Sequence, residues 1–220
     1  MSEKTEEKLV AKLVSQYVKL ADENKSEEEL INLAGSAAGV CFKAEDTYEA
    51  NLNRLLGCIK RGHTSVLEHA TISFEVRTDR GTSHALVRHR HCAFTQESTI
   101  YTKYTRFSEL SFIELPMYDK YKEFTYPTGY NEELLVYCQE ATDHYTALLA
   151  EGLPAGIARD VLPNCTATLL KITTNFRELQ AILKIRKQAA DSIRMHQMIA
   201  MLEAELKVKY PTLTRAILEA

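Results

Sequence analysis

The stretch Thr71-Ile-Ser-Phe-Glu-Val-Arg77 decides the fold class, because apolar and polar residues alternate along it. Ile72, Phe74 and Val76 share one face at a two-residue period, which predicts a half-buried strand. Residues 167–174 form a second predicted strand, and segments with helical spacing surround both. Strands and helices arranged in runs predict an α+β fold with a helical lobe.

The predicted helices lie outward from these two strands, and several have recognisable ends. Ser26 and Glu29 resemble a capping box, Gly62 is a predicted C-cap glycine, and Asn131 is a predicted N-cap. Residues 99–130 are predicted to form strand pieces and a long surface excursion. Helices are predicted at 4–21, 26–37, 47–61, from about 81 into the basic run at 88–90, and then at 131–151, 154–162, 176–186, 189–209 and after Pro211.

The composition indicates a single ordinary soluble domain: the chain has 220 residues, of which 45% are hydrophobic and 26% charged, and a formal net charge of −3. A weakly acidic chain lacks the basic footprint of proteins that bind a nucleic-acid polymer. No apolar run approaches the roughly 20 residues of a membrane span, and the polar start is not typical of a signal peptide. Five cysteines without a CxxC pair indicate reduced thiols, so we expect a cytoplasmic protein.

The basic run Arg88-His89-Arg90 is the first candidate site, and Gln96-Glu97-Ser98 follows it closely. Consecutive residues at a helix end point about 100° apart, so the three basic side chains cannot serve one small contact. Arginine can donate two parallel N–H bonds to phosphate and carboxylate oxygens. The run therefore favours the binding of a large anionic ligand, or of two ligands that meet there. A solvated basic helix end is the competing interpretation.

A second candidate is the turn Gly62-His63-Thr64-Ser65-Val66-Leu67-Glu68-His69. Two histidines and a carboxylate beside a glycine can bind a metal, but His63 and His69 lack the i, i+4 spacing of a helical zinc pair. We therefore predict no metal site. Local capping by Thr64 or Ser65 is one alternative. The other is that this turn and the basic run face one cleft, since the strand at 71–77 links them.

Further basic groups stand in the second half of the chain. Asn175 and Arg177 mark the end of the second predicted strand, and Arg159 precedes its start. Arg186 lies about 2.5 helical turns beyond Arg177, so these two arginines point to opposite sides of their helix. Arginines spread in this way can serve two neighbouring pockets, although each taken singly is more often part of a surface salt bridge.

In their order and spacing these motifs resemble the flavin-dependent (ThyX-type) thymidylate synthases, whose hallmark is an Arg-His-Arg run separated from a serine by seven residues. The resemblance covers roughly residues 28–215 of a single ThyX-like domain at 1–220, and the predicted N-terminal helix (1–27) lies outside it. The matching motifs are Gly62-His63 with Glu68-His69, Arg88-His89-Arg90 with Ser98, Ile157-Ala158-Arg159 before Leu162-Pro163, Asn175-x-Arg177, and Ile185-Arg186.

The resemblance implies a central antiparallel sheet with a helical lobe, and a homotetramer whose active sites lie between subunits. It implies reductive methylation of dUMP to dTMP, with methylenetetrahydrofolate and NADPH as co-substrates and FAD as the hydride carrier. Folate, NADPH and dUMP are thus the expected partners, and neither a membrane nor a nucleic-acid polymer is expected.

The resemblance also assigns roles to individual residues. Arg186, Ser98 and His63 would be catalytic, with His63 near the face where folate or nicotinamide approaches. The flavin would be bound by Ser65, Glu68, His89, Arg90, His91, Asn175 and Arg177. The nucleotide would be bound by Arg88, Gln96, Glu97, Ser98, Thr99, Arg159 and Arg186.

Four alanine or isoleucine positions depart from the family pattern. Ala85 stands where a glutamine is usual, and Ile100 where an arginine commonly follows the serine. Ala181 and Ala190 replace an asparagine and a histidine that often touch the flavin. Losing one charge-assisted contact costs roughly 1.5–3 kcal/mol, so the changes at Ala85 and Ile100 predict weaker nucleotide binding.

Two alternatives to an active synthase follow from the sequence. One is a ThyX paralogue that binds flavin and a nucleotide but has an altered substrate or no synthase activity. The other is a metal-dependent hydrolase that draws on His63, Glu68, His69, His84, His89 and His91.

Overall fold

A computed structural model of the chain describes residues 9–21, 25–104, 110–116, 129–188 and 190–220. Within these ranges the strands are β1 (Lys12–Val14), β2 (Tyr17–Leu20), β3 (Thr71–Asp79), β4 (Ala93–Gln96), β5 (Ser111–Ile113) and β6 (Ala167–Asn175). The α-helices are α1 (Glu27–Gly39), α2 (Tyr48–Lys60), α3 (Arg80–Leu86), α4 (Tyr130–Ala150), α5 (Ala155–Ala158), α6 (Phe176–Ile185), α7 (Ile193–Lys209) and α8 (Pro211–Glu219).

The central sheet is antiparallel and has the strand order β2-β3-β6-β4. The strands β3 and β6 pair along their whole length, from Thr71 opposite Asn175 to Asp79 opposite Ala167. Both predicted strands and the predicted α+β class are therefore confirmed. The pairing places Asn175 and Ala167 at opposite ends of the sheet.

The alternation along β3 separates a buried face from a polar face. Ile72, Phe74 and Val76 belong to the main core, which α1, α2, α6, α7 and α8 also supply. On the other face, Lys171 pairs with Glu75 at 2.8 Å, and this hydrogen bond holds the pKa of Glu75 below its ordinary value. The two-residue period thus predicted correctly which face of the sheet is buried.

A second, smaller core forms around α4. Tyr104 and Tyr145 meet edge to face there, with ring centroids 6.0 Å apart. The buried thiols of Cys138 and Cys165 lie 3.7 Å apart, and all five cysteines are free. This core joins α4 to the loop that enters β6.

The predicted N-terminal helix is wrong for the described residues 9–21, which form β1 and β2. Strand β2 pairs antiparallel with β3, and β1 pairs parallel with β5. The spacing of the apolar residues suits a helix, but an unpaired edge of β3 would leave its backbone groups unsatisfied. Tertiary pairing therefore overrides the local pattern. Residues 4–8 of this predicted helix lie outside the described residues.

Several helix boundaries also differ from the sequence predictions. The predicted N-cap Asn131 lies inside α4, whose N-cap is Gly129, because the Asn131 side chain bonds the backbone N and O of Leu115 at 2.9 and 3.1 Å. Helix α3 ends at Leu86, before the basic run, and α7 begins only at Ile193. Residue 189 lies outside the described residues.

Within the predicted excursion at 99–130, the strand β5 confirms that strand pieces occur there. Residues 105–109 and 117–128 lie outside the described residues. The capping box of α1 and the left-handed Gly62 after α2 are confirmed.

Two helix glycines provide a test of the packing between α1 and α2. A Cβ atom on Gly35 would meet the backbone oxygen of Asn51 at 2.4 Å, whereas one on Gly57 would meet only the flexible end of Arg61 at 3.3 Å. We expect Gly35→Ala to lower the free energy of unfolding by about 1–3 kcal/mol, because the helices must separate. Gly57→Ala should leave it unchanged or raise it by up to about 1 kcal/mol. Urea unfolding measures both, and equal losses would contradict this packing.

Candidate functional site

A groove with a volume of about 1210 Å³ opens at the end of the sheet where β6 passes into α6. Its walls come from the end of α2, the 3-10 turn Thr64–Glu68, the start of α6, and α8. The lining residues are Leu56, Ile59, Lys60, Gly62, Thr64, Glu68, His91, Asn175, Arg177, Glu178, Gln180, Ala181, Lys184, Thr212, Arg215, Ala216, Glu219 and Ala220.

The junction between β6 and α6 is fixed by Asn175. Its backbone is extended, and its Oδ1 accepts a hydrogen bond from the backbone N–H of Glu178 at 2.9 Å. An asparagine in this position is a good N-cap because it satisfies one of the free N–H groups of the helix. The cap turns Arg177 and Glu178 towards the groove, where both line the wall.

The glycine turn forms the facing wall of the groove. Gly62 has a φ of +77°, which a glycine adopts without strain, and the backbone N–H of His63 bonds the Cys58 oxygen at 2.9 Å. Glu68 at the end of the turn makes a salt bridge with Arg177 of α6. This salt bridge connects the turn to α6 across the groove. The side chains of His63 and Ser65 are exposed at the surface.

The residues of the basic run point in different directions. His89 is buried, with 7% of its surface exposed, whereas Arg88 and Arg90 are exposed. His91 follows directly and lines the groove together with Gly62, Thr64 and Glu68 of the turn. The turn and the residue after the basic run therefore face one cleft, which agrees with one of the sequence interpretations.

A buried network connects His89 to Arg186. His89 Nδ1 lies 2.8 Å from Glu178 Oε1, and Arg186 Nε donates to His89 Nε2 at 3.0 Å. Arg186 also donates from Nη2 to the Ala85 carbonyl oxygen at 2.6 Å, and its Nη1 lies 3.5 Å from Asp191. A residue assigned to the flavin and one assigned to the nucleotide thus contact each other directly.

The loop 96–99 lies at the opposite end of the sheet. Gln96 donates to the hydroxyls of Ser83 and Thr168 at 3.0 and 3.2 Å. The backbone N–H of Glu97 bonds the Leu169 oxygen at 2.9 Å, and Arg159 Nη1 donates to Thr99 Oγ1 at 2.9 Å.

Within this loop, the Ser98 hydroxyl accepts from the backbone N–H of Ile100 at 3.2 Å. The predicted nucleotide residues of loop 96–99 and Arg159 therefore form a second group, remote from the groove.

The separation of the two groups follows from the length of β6. Leu169, which bonds loop 96–99, stands six residues before Asn175, and six residues of strand span roughly 20 Å. This distance exceeds the span of a nucleoside monophosphate. The groove of one chain therefore does not include loop 96–99 or Arg159. Arg186 lies between the two groups, because it contacts Ala85 of α3, two residues from the Ser83 that Gln96 contacts.

The family departures lie beside the groups that they would support. The carbonyl of Ala85 accepts from Arg186, and Ile100 follows the Thr99 that Arg159 contacts. Ala181 lines the groove. The missing amide and guanidinium would therefore adjoin the surviving arginines.

Sequence analysis missed several residues of the groove. Glu178 stands three positions after the N-cap Asn175, a spacing that is a weak signal for a helix start. Lys60, Lys184 and Arg215 also line the groove. They come from three separate helices, so no local sequence pattern could have grouped them.

The groove suits an elongated anionic ligand such as a dinucleotide. Its volume exceeds the roughly 300–1,000 Å³ of ordinary small-molecule pockets. Four cationic side chains and three carboxylates line it, namely Lys60, Arg177, Lys184 and Arg215 against Glu68, Glu178 and Glu219. The N-terminus of α6 adds its dipole, which favours an anion. The Oδ1 of Asn175 caps α6, which leaves its amide NH2 group for a ligand. The residues present therefore fit the phosphates and the polar ring edge of a flavin dinucleotide.

The described residues were also searched for a metal site and for a membrane-spanning helix. In them, no group of three or more His, Cys, Asp or Glu side chains is placed to hold a metal ion. None of the helices in this part of the chain is both long and apolar enough to cross a membrane.

Comparison with known proteins links this geometry to one family. Residues 4–212 match the family model described as "Thymidylate synthase complementing protein". The flavin-dependent thymidylate synthase of Sulfurisphaera tokodaii is 32% identical over 163 residues, which are 72% of this chain and 59% of that protein. That of Saccharolobus solfataricus is 32% identical over 178 residues, covering 77% of this chain and 64% of the relative. The chain thus spans about six tenths of the length of these relatives.

Other relatives and a solved structure cover more of both chains. The flavin-dependent thymidylate synthase of Corynebacterium diphtheriae is 27% identical over 196 residues, 84% of this chain and 77% of that protein. The crystal structure of a UMP/dUMP methylase PolB from Streptomyces cacaoi, bound with 5-Br dUMP, has a TM-score of 0.72. The match covers 94% of this chain and 97% of the other at 23% identity, so it supports the fold.

The cap at Asn175 generates a test of how the groove is built. We expect Asn175→Ala to lower the free energy of unfolding by about 1 kcal/mol, because the first turn of α6 loses its acceptor. Asn175→Asp keeps an acceptor oxygen at the same place and should keep the stability. Urea unfolding of the two variants measures the difference. Equal destabilisation would mean that the cap does not hold this junction.

Proposed function

The chain belongs to the family of thymidylate synthase complementing proteins, and from this membership we propose that it is a flavin-dependent thymidylate synthase. The proposed reaction is the reductive methylation of dUMP to dTMP. The groove at the end of β6 carries the proposal, because Glu68, His91, Asn175 and Arg177 all line it. The family resemblance assigns all four residues to the flavin.

The proposed cofactor is FAD, with methylenetetrahydrofolate and NADPH as co-substrates. FAD would lie in the groove, with Arg177 and Lys184 near its phosphates and Asn175 donating from its amide. When bound, the flavin supplies hydride transfer chemistry. Ser65, His89 and Arg90 complete the proposed flavin set, and they lie at the margins of the groove rather than in its lining.

The residues of the chain itself would bind and orient the nucleotide. Arg186, Arg88 and Arg159 would provide charge-assisted donors to its anionic groups. Ser98 and its neighbours in loop 96–99 would enclose its phosphate and base. His63, exposed at the rim of the groove, would face the approaching folate or nicotinamide. Arg186, Ser98 and His63 remain our proposed catalytic residues.

A homotetramer with active sites between subunits is part of the proposal. Its support is the separation of roughly 20 Å between the groove and loop 96–99, since a second copy could bring its own loop to the groove. Ile100, Tyr101 and Ile157 are large apolar residues near that loop and are 52%, 90% and 54% exposed, as expected of an interface. The free thiols agree with the proposed cytoplasmic location.

A paralogue with altered substrate choice is the second candidate, and the departures favour it. Ala85 and Ile100 lack the side chains that would assist Arg186 and Arg159, and Ala181 contributes no polar group at its position in the groove wall. Such a protein would still bind FAD. Conversion of dUMP distinguishes the two candidates.

The function is tested with purified protein loaded with FAD. We expect a saturable visible absorption from bound FAD, and dTMP formation that requires dUMP, methylenetetrahydrofolate and NADPH. Arg177→Ala should weaken FAD binding at least about tenfold, because a charge-assisted contact is lost. Lys171→Ala, on the polar sheet face outside the groove, is the control and should not change it. Failure to bind FAD would overturn the proposal, and FAD binding without dTMP would favour the paralogue.

The nucleotide assignment is tested by titrating dUMP into flavin-loaded variants. Arg186→Ala should weaken binding at least about tenfold, equivalent to about 1.4 kcal/mol. Ala85→Gln and Ile100→Arg should tighten it, because they add an amide beside Arg186 and a guanidinium beside Arg159. Unchanged affinity in all three variants would show that the nucleotide pocket has been assigned wrongly.

A further inference from the structure

We propose that Glu178 is a positioning residue that fixes the ring of His89 and, through it, the guanidinium of Arg186. No family motif assigned this carboxylate a role. The inference deepens the proposed function and rests on it where the nucleotide is concerned. The part that concerns the ring of His89 does not depend on any ligand.

The three side chains form a continuous chain of hydrogen bonds. Glu178 Oε1 lies 2.8 Å from His89 Nδ1, and Arg186 Nε lies 3.0 Å from His89 Nε2. Their exposed fractions are 12% for Glu178, 7% for His89 and 13% for Arg186. Polar groups screened this far from water depend on one another for their hydrogen bonds.

The direction of each hydrogen bond follows from the arginine. A guanidinium has only N–H donors, so the Nε2 of His89 must accept and carries no proton. A neutral imidazole then has its proton on Nδ1, which donates to the Glu178 carboxylate. The network therefore selects one neutral tautomer and one ring orientation of His89.

Glu178 is held independently of the ring that it orients. Its backbone N–H is bonded by Asn175, and its helix begins directly after the paired strand β6. The carboxylate therefore has a fixed place at the groove wall. A ring without this acceptor can flip or change tautomer. The flip presents the Cε1–H group to Arg186 and the other tautomer presents an N–H, so either change breaks their hydrogen bond.

The consequence is a physical link between the two proposed binding sites. Glu178 lines the groove proposed for the flavin, and Arg186 is the arginine proposed for the nucleotide. Without the His89 contact, Arg186 keeps its contacts with the Ala85 carbonyl and Asp191, and its guanidinium group is less constrained. The orientation of a nucleotide-binding group thus depends on a carboxylate at the flavin.

The ring is tested first in ligand-free protein, by nitrogen-15 NMR of the histidine side chains. We expect the wild type to show one His89 tautomer with the proton on Nδ1. Glu178→Leu should give a mixture or the other tautomer, and Glu178→Gln an intermediate result, because an amide oxygen is a weaker acceptor.

The buried His196, which lies 2.8 Å from the Gln188 oxygen through its Nε2, reports whether a variant is folded. If Glu178→Leu does not fold, the His89 tautomer is measured in Glu178→Gln instead. An unchanged His89 tautomer in the folded variants would overturn the proposal.

The link to Arg186 is tested by titrating dUMP into flavin-loaded protein. Glu178→Gln should weaken dUMP binding by about tenfold in the wild-type background and have no effect when His89→Asn is already present. Glu132→Gln is the matched control, because Glu132 holds the same third helix position in α4 as Glu178 in α6, and it should leave affinity unchanged.

Equal losses with and without His89 would overturn the positioning role of Glu178. If the wild type does not bind dUMP at all, the proposed function fails. The tautomer measurement then still decides the role of Glu178 at His89.

Discussion

The pairing of β3 with β6 over nine residues is the constraint on which the rest of the structure depends. β3 leads into α3 and the basic run, and β6 leads through the Asn175 cap into α6. A slip of one residue would turn the buried face of a strand towards solvent. The register demanded by the core therefore also sets the positions of the groove and of loop 96–99.

Any attraction for an anion must come from local groups of charged side chains, because the formal net charge of −3 gives no overall attraction. Two arginines at or beside the groove are held by acceptors: Arg177 pairs with Glu68, and Arg186 contacts His89 and Asp191. Acceptors of this kind reduce the conformational freedom that a donor must lose on binding. The acids around the groove thus orient the cations that would hold an anionic ligand.

The departures from the family pattern have a common structural setting. Ala85 accepts a hydrogen bond from Arg186, and Ile100 follows the Thr99 that Arg159 contacts, so each departure lies beside an arginine that is still present. Glu178 acts at one of these places, because it contacts His89, which in turn accepts from Arg186. The site retains Arg159 and Arg186, and it lacks the amide and the guanidinium that the family pattern has at positions 85 and 100.

The sequence by itself determined the two central strands, the buried face of β3, the α1 capping box and the motif residues that meet in the groove. These features depend on the spacing of residues that are close together in the sequence, so they can be recognised without a structure. The strands at 9–21, the extent of α4 and the network of Glu178, His89 and Arg186 could not be predicted. Each depends on partners between 16 and 101 residues away. Only the tertiary structure decided them, because an edge strand or a buried polar group takes its conformation from whichever partner satisfies its hydrogen bonds.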